Sequence, residues 1–97
     1  MEVTIQAIHA TVTEHEKAYL RKKMDKLERF HDQILRAEAI FKDQAASGPK
    51  SKALDVKVAV PGNTLLAKGM GSTFQEATDL MIEKLKVQLK KHKQTHG

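Results

Sequence analysis

At 97 residues the chain has room for one domain with a modest core, read as residues 1–97, and none for two folding units. Its lack of cysteine excludes disulfides, thiolate metal sites and cysteine nucleophiles, so packing must supply the stability. With 17 Lys+Arg against 12 Asp+Glu, the formal net charge is +5 and the isoelectric point about 9.6, which favours polyanions such as nucleic acid or anionic lipid as partners.

The start, MEVTIQAIHA, carries an acid at Glu2, lacks a basic n-region and is too short for the apolar h-region of a signal sequence. No apolar run approaches the ~20 residues of a membrane span, so the expected location is cytoplasmic. Val3, Ile5 and Ala7 alternate with Glu2, Thr4 and Gln6, the period of a half-buried strand. Thr13 and Glu16 have capping-box spacing, and the following segment to about His31 sets Leu20, Met24, Leu27 and His31 on one helical stripe, with Phe30 at its edge. From Leu35 the period returns to two: Leu35, Ala37, Ala39 and Phe41 alternate with Arg36, Glu38, Ile40 and Lys42. The loop QAASGPKS, Gln44 to Ser51, reads as a hairpin connection. Leu54, Val56, Val58 and Val60 form a third alternating run, and Val60-Pro61-Gly62-Asn63 suits a type II turn into a fourth strand, roughly Thr64 to Met70. Ser72 and Thr73 both offer caps to a second helix, where Phe74, Ala77, Met81, Leu85 and Leu89 recur at helical spacing to about Lys93.

The order predicts an α+β fold, β-α-β-β-β-α, in which one four-stranded sheet carries two helices packed on one face. The other face is open to water. Its expected residues, Thr4, Gln6, Arg36, Glu38 and Lys57, include no aromatic, which argues against a base-stacking sheet. A binding surface is expected on the helices instead. Arg21, Lys22, Lys26 and Arg29 lie away from the apolar stripe of the first helix, with Lys23 at its flank. On the second helix Lys84 and Lys91 share one flank, and Lys86, Lys90 and Lys93 cluster outward. Side by side, the two helices would bring these rows into one basic surface for phosphates. The plainer alternative is a set of solvated helix residues, aided by Asp25, Glu28, Asp79 and Glu83 at pairing distances.

Catalytic chemistry has little support. Glu14 and Glu16 near His15 suit the first turn of a helix, where acids complement the macrodipole. His92 and His96 have helical ligand spacing but no third ligand nearby, so no metal is expected. Tyr19 and Phe74 read as packing residues. No cofactor or small-molecule substrate is implied.

The KLERF segment at Lys26–Phe30, the stretch AKGMGSTFQEATDLMIEKLKVQLKKHK from Ala67 to Lys93, and the order of elements together resemble the ribosome hibernation promoting factors, a group that includes the ribosome-associated inhibitor A type. Ala77, Met81, Lys84, Leu85, Gln88, Leu89 and Lys91 match the family pattern of the second helix. The resemblance implies binding to the small ribosomal subunit in the channel between head and body, where mRNA and the A- and P-site tRNAs would lie. It further implies rRNA contacts from Lys22, Lys23, Lys26 and Arg29 and from Lys84 and Lys91; Lys86, Lys90 and Lys93 are expected to join them on the strength of their own outward cluster. Val87 departs from a common family arginine, so Lys86 or Lys90 would supply that charge, and Gly71-Ser72-Thr73 departs from the family's acidic lead into the helix. The expected protein is a short-form hibernation factor, monomeric when free, that silences idle ribosomes and bears on ribosome dimers. Two alternatives stay open: a generic double-stranded RNA-binding module, and a basic amphipathic helix acting at a membrane or on a partner protein.

Overall fold

Hydrophobic spacing that switches between two and about 3.6 residues decides the elements of the computed structural model, which describes residues 1–45 and 48–96, with side chains through Lys93. In chain order these are β1 (Glu2–Ile8), α1 (Glu14–Phe30), β2 (Arg36–Asp43), β3 (Lys52–Val60), β4 (Asn63–Gly71) and α2 (Phe74–His96). The sheet order is β1-β2-β3-β4. β1 and β2 are parallel, and β2–β3 and β3–β4 are antiparallel.

The register stacks inward-facing residues in rows. Val3, Ala37, Val58 and Leu65 form one row, and Ile5, Ala39, Val56 and Ala67 form the next. Leu20, Met24 and Leu27 of α1 and Phe74, Ala77, Met81, Leu85 and Leu89 of α2 join the same buried cluster, so both helices close one face of the sheet. Phe41 and Phe74 meet edge-to-face there, with ring centroids 5.1 Å apart.

Caps and turns set the ends of these elements. The Thr13 hydroxyl accepts from the Glu16 N–H at 3.1 Å, and the Glu16 carboxylate accepts from the Thr13 N–H at 2.9 Å, completing the capping box of α1. Gly62 has φ 76°, as the third position of a type II turn requires, and Val60 pairs with Asn63 across it. The Gln44 N–H to Ser51 carbonyl bond closes the β2–β3 connection; Ala46 and Ser47 of that loop lie outside the described residues.

The start of β2 corrects the alternation expected from Leu35. That side chain is 56% exposed, and Ile34 is buried in its place. After the α1 C-cap at His31 the chain turns through Asp32 and Gln33, and pleating begins only at Arg36. A period of two cannot be extended back through a segment that is not yet extended.

Candidate nucleic-acid interface

α1 and α2 lie side by side over the sheet, joined across by the Tyr19 hydroxyl, which donates to the Asp79 carboxylate at 2.5 Å. That bond holds the phenol pKa above its ordinary value. Between the helices runs a groove of about 460 Å³. Leu27 and Ile82 give it an apolar floor, Phe30 and His31 stand at the end of α1, and Lys23, Lys26, Lys86 and Lys90 supply cations from both sides.

Two carboxylates share the groove with four lysines, and both are already engaged. Asp79 accepts from Tyr19, and Glu83 lies 3.4 Å from the Lys86 amine. The Lys23 amine sits 5.3 Å above the Tyr19 ring. An exposed i,i+3 pair such as Glu83–Lys86 contributes about 0–1 kcal/mol, so a phosphate can compete for the lysine. Burial, and secondarily the Lys93 charge, push the His31 pKa below its ordinary value, leaving the imidazole neutral at neutral pH.

The expected basic residues fall into distinct groups. Lys23 and Lys26 face Lys86 and Lys90 across the groove. Lys22 and Arg29 are exposed on α1 outside it, and Lys93 is exposed within electrostatic reach of His31. Lys84 and Lys91 stand elsewhere: they flank Gln88, whose side-chain amide donates to the Leu66 carbonyl on β4, and so occupy the flank of α2 turned towards β4. Lys86, Lys90 and Lys93 are exposed on one side of α2, as a cluster, with Lys86 and Lys90 lining the interhelical groove and Lys93 near His31, whereas the expected single basic surface is divided, because Lys84 and Lys91 lie on the other flank. Val87, at the position of the family arginine, is 54% exposed, with Lys86 exposed beside it.

The acids also behave differently from simple helix pairing. Glu28 holds the Met1 amino group at 2.8 Å, tying α1 to the start of β1 and raising that amine's pKa. The Gly71-Ser72-Thr73 corner is taken up by the α2 cap. Thr73 accepts from the Glu76 N–H at 3.1 Å, while the Glu76 carboxylate accepts from the Ser72 N–H at 2.7 Å and hydroxyl at 2.5 Å. Those bonds hold Glu76 below the usual carboxylate range.

Phe30 is the residue that stripe reasoning undervalued: 70% exposed, it borders the groove and not the core. Its signal was its position, last in the helix and at the edge of the apolar stripe. Tyr19 and Phe74 are engaged in bonding and packing, as expected. The open sheet face presents Thr4, Gln6, Arg36, Glu38 and Lys57 without an aromatic ring, together with an exposed Leu66. Glu16 belongs to the α1 cap and Glu14 pairs with Lys17 at 3.3 Å. Among the described residues no cluster of three or more His, Asp or Glu could hold a metal ion; the side chain of His96 lies outside them. No described helix is long and apolar enough to cross a membrane. The α2 stripe that a surface-lying helix would need free is buried.

Comparison with known proteins agrees with the fold. The model of the Sigma 54 modulation protein / S30EA ribosomal protein family matches residues 3–96. A ribosome hibernation promoting factor from Pseudomonas putida is 28% identical over 94 residues, covering 97% of this chain and 88% of that protein. A ribosomal subunit interface protein from Coxiella burnetii superposes with a TM-score of 0.86 at 25% identity, covering 96% of this chain and 98% of that one. The N-terminal domain of Thermus thermophilus Protein Y shares the fold, with a TM-score of 0.80 at 20% identity over 95% of this chain and 99% of that one.

Proposed function

The chain belongs to the Sigma 54 modulation protein / S30EA ribosomal protein family, and from that premise we propose that it silences idle ribosomes by lodging on the small subunit. It would occupy the channel that mRNA and the A- and P-site tRNAs otherwise use, with its two-helix face against rRNA. The observation that carries this reading is the groove in which Lys23 and Lys26 of one helix oppose Lys86 and Lys90 of the other. Lys22, Arg29 and Lys93 extend the positive surface beyond it, and Lys84 and Lys91 offer a second contact on the β4 side of α2. The names of the Pseudomonas and Coxiella relatives support a ribosomal partner.

The protein acts by binding and exclusion, not catalysis. Each phosphate neutralised by a lysine releases condensed counterions, so affinity falls steeply with salt. Ammonium groups position a nucleic-acid backbone and read few base edges, so shape and phosphate contacts dominate recognition. The protein works in the cytoplasm, as a monomer when free.

Co-sedimentation across a salt series tests the reading, using purified small and large subunits, intact ribosomes and free duplex RNA. The expected result is selective pelleting with small subunits and intact ribosomes, lost in Lys86→Glu/Lys90→Glu and weakened in Lys84→Glu/Lys91→Glu. Equal binding to free duplex would favour a generic double-stranded RNA module, and absence from the small subunit would overturn the proposal. The same gradients, run on ribosomes with bound protein, decide whether these remain single or pair.

A further inference from the structure

We propose that Phe30 is a stacking platform for an unpaired RNA base, and that the groove beside it takes a single-stranded or looped segment of rRNA and not a continuous duplex. The inference rests on the ribosomal reading above and sharpens it from a charged face to a specific contact.

Of the three phenylalanines, two pack edge-to-face in the core and the third stands in solvent. The exposure of Phe30 does not come from an unfilled core. Leu27 and Ile82, which share the groove with it, are buried, and so is Ile34 further along the chain, so the core is closed without the ring. The backbone carrying it is held: the His31 N–H bonds the Leu27 and Glu28 carbonyls at 3.1 and 3.2 Å, closing the last turn of α1. A rigid element therefore presents the ring, and little further ordering is needed on binding.

Its surroundings choose the partner. Lys23, Lys26, Lys86 and Lys90 line the same groove, and its two carboxylates are occupied by Tyr19 and Lys86. A cationic groove with an aromatic face inside it is the arrangement by which proteins hold single-stranded nucleic acid, with phosphates on the cations and bases on the ring. A paired base keeps both faces inside its own stack, so only an unpaired base can use Phe30. The open sheet face has no ring to offer, which leaves this groove as the place where base and phosphate contacts coincide among the described residues.

The test measures binding of Phe30→Ala, Phe30→Leu, Phe30→Tyr and Phe30→Trp to purified small subunits across a salt series, with Lys86→Glu/Lys90→Glu as the charge control. The ring is exposed, so thermal midpoints of all four variants should match the parent. Ala and Leu should each weaken binding about tenfold, equivalent to about 1.4 kcal/mol, with the salt slope unchanged. Tyr and Trp should bind within about twofold of the parent, because both keep a π-face. The parent chain has no tryptophan, so Phe30→Trp carries a single reporter. Its emission should be quenched by a single-stranded oligoribonucleotide and unmoved by the same sequence as duplex. If Leu binds as well as Phe, the contact is apolar packing on a protein and the proposal is overturned, while small-subunit binding stands. If Ala binds normally and only the charge control fails, Phe30 is idle and the proposal is again overturned. If the parent itself ignores small subunits, the ribosomal reading falls and the rRNA target falls with it.

Discussion

A Cβ built on Gly69 would stand 2.0 Å from the carbonyl oxygen of Ala77 and 2.7 Å from the amide nitrogen of Met81, so α2 crosses β4 at a distance only glycine allows. The clashing atoms are helix backbone, which cannot rotate away as a side chain could. Gly69→Ala is expected to cost about 3 kcal/mol or more, since overpacking must move a whole element. Urea unfolding checks this, and an unchanged midpoint would refute the close approach. Gly71→Ala should cost less. Its Cβ would meet the Glu76 Cβ at 2.6 Å, an atom fixed to the first turn of α2, the Glu76 carboxylate at 3.0 Å and the Ala77 nitrogen at 3.3 Å, so only the start of the helix and its cap must shift and not the crossing itself.

Glu76 makes part of the stability dependent on acid pH. Hydrogen bonds from the Ser72 side chain and backbone lower its pKa in the folded protein. In acid the unfolded chain therefore binds the proton first. The contribution is complete above the ordinary carboxylate range and is lost as pH falls through the folded value. Glu76→Gln should lower stability at neutral pH, and its deficit should shrink in strong acid as the parent loses the same bonds. Asp43 behaves similarly, its pKa lowered by hydrogen bonds from Lys52 and then Ser51, so the variant flattens only part of the acid limb. Denaturant midpoints measured from neutral to acid pH test the convergence.

His31 has the opposite charge chemistry. Its pKa is lowered by burial and by Lys93, so the unfolded chain binds more protons as pH drops below about 6.5. Its contribution to stability is therefore complete above that value and lost as pH falls towards the folded pKa. RNA binding should show the reverse trend, because phosphates brought to the groove favour the imidazolium. Parent affinity for small subunits should rise on mild acidification while the free protein becomes less stable. His31→Gln should diminish both trends; an unaltered binding profile in that variant would disprove the link.

Local signals and the order of layers, one four-stranded sheet with both helices on one face, were legible in the sequence, and contacts between particular residues of different elements were not. The alternation of Val3 and Ile5 with Thr4 and Gln6, the Thr13–Glu16 box and the Pro61-Gly62 turn all depend on neighbours within a few residues and appear as expected, except that the alternation stops short of Ala7, which is exposed where an inward residue was expected. Helical spacing also shows that Lys84 and Lys86 sit on opposite sides of the Leu85 stripe. It cannot say which side meets α1, because that depends on how the sheet orients the two helices. The interhelical setting of Phe30 and the role of Gly69 were hidden for the same reason: a helix-end aromatic and a strand glycine acquire meaning only from the element brought against them.

The Glu83–Lys86 pair gives the groove an internal competitor for phosphate. At 3.4 Å and exposed on both sides, it contributes about 0–1 kcal/mol to stability, so Glu83→Gln should leave the unfolding midpoint nearly unchanged. It removes one of the groove's two carboxylates and frees Lys86, so binding to small subunits should tighten. Lys86→Ala should weaken binding and reduce the magnitude of the slope of log K against log salt by about 0.7–0.9, the signature of one lost phosphate contact. In the double variant the gain from Glu83→Gln should largely disappear, because the freed lysine is absent. If Glu83→Gln tightened binding equally without Lys86, the effect would be the general field of the groove and not release of this lysine. The salt series separates these mechanisms, since a direct contact changes the slope as well as the affinity.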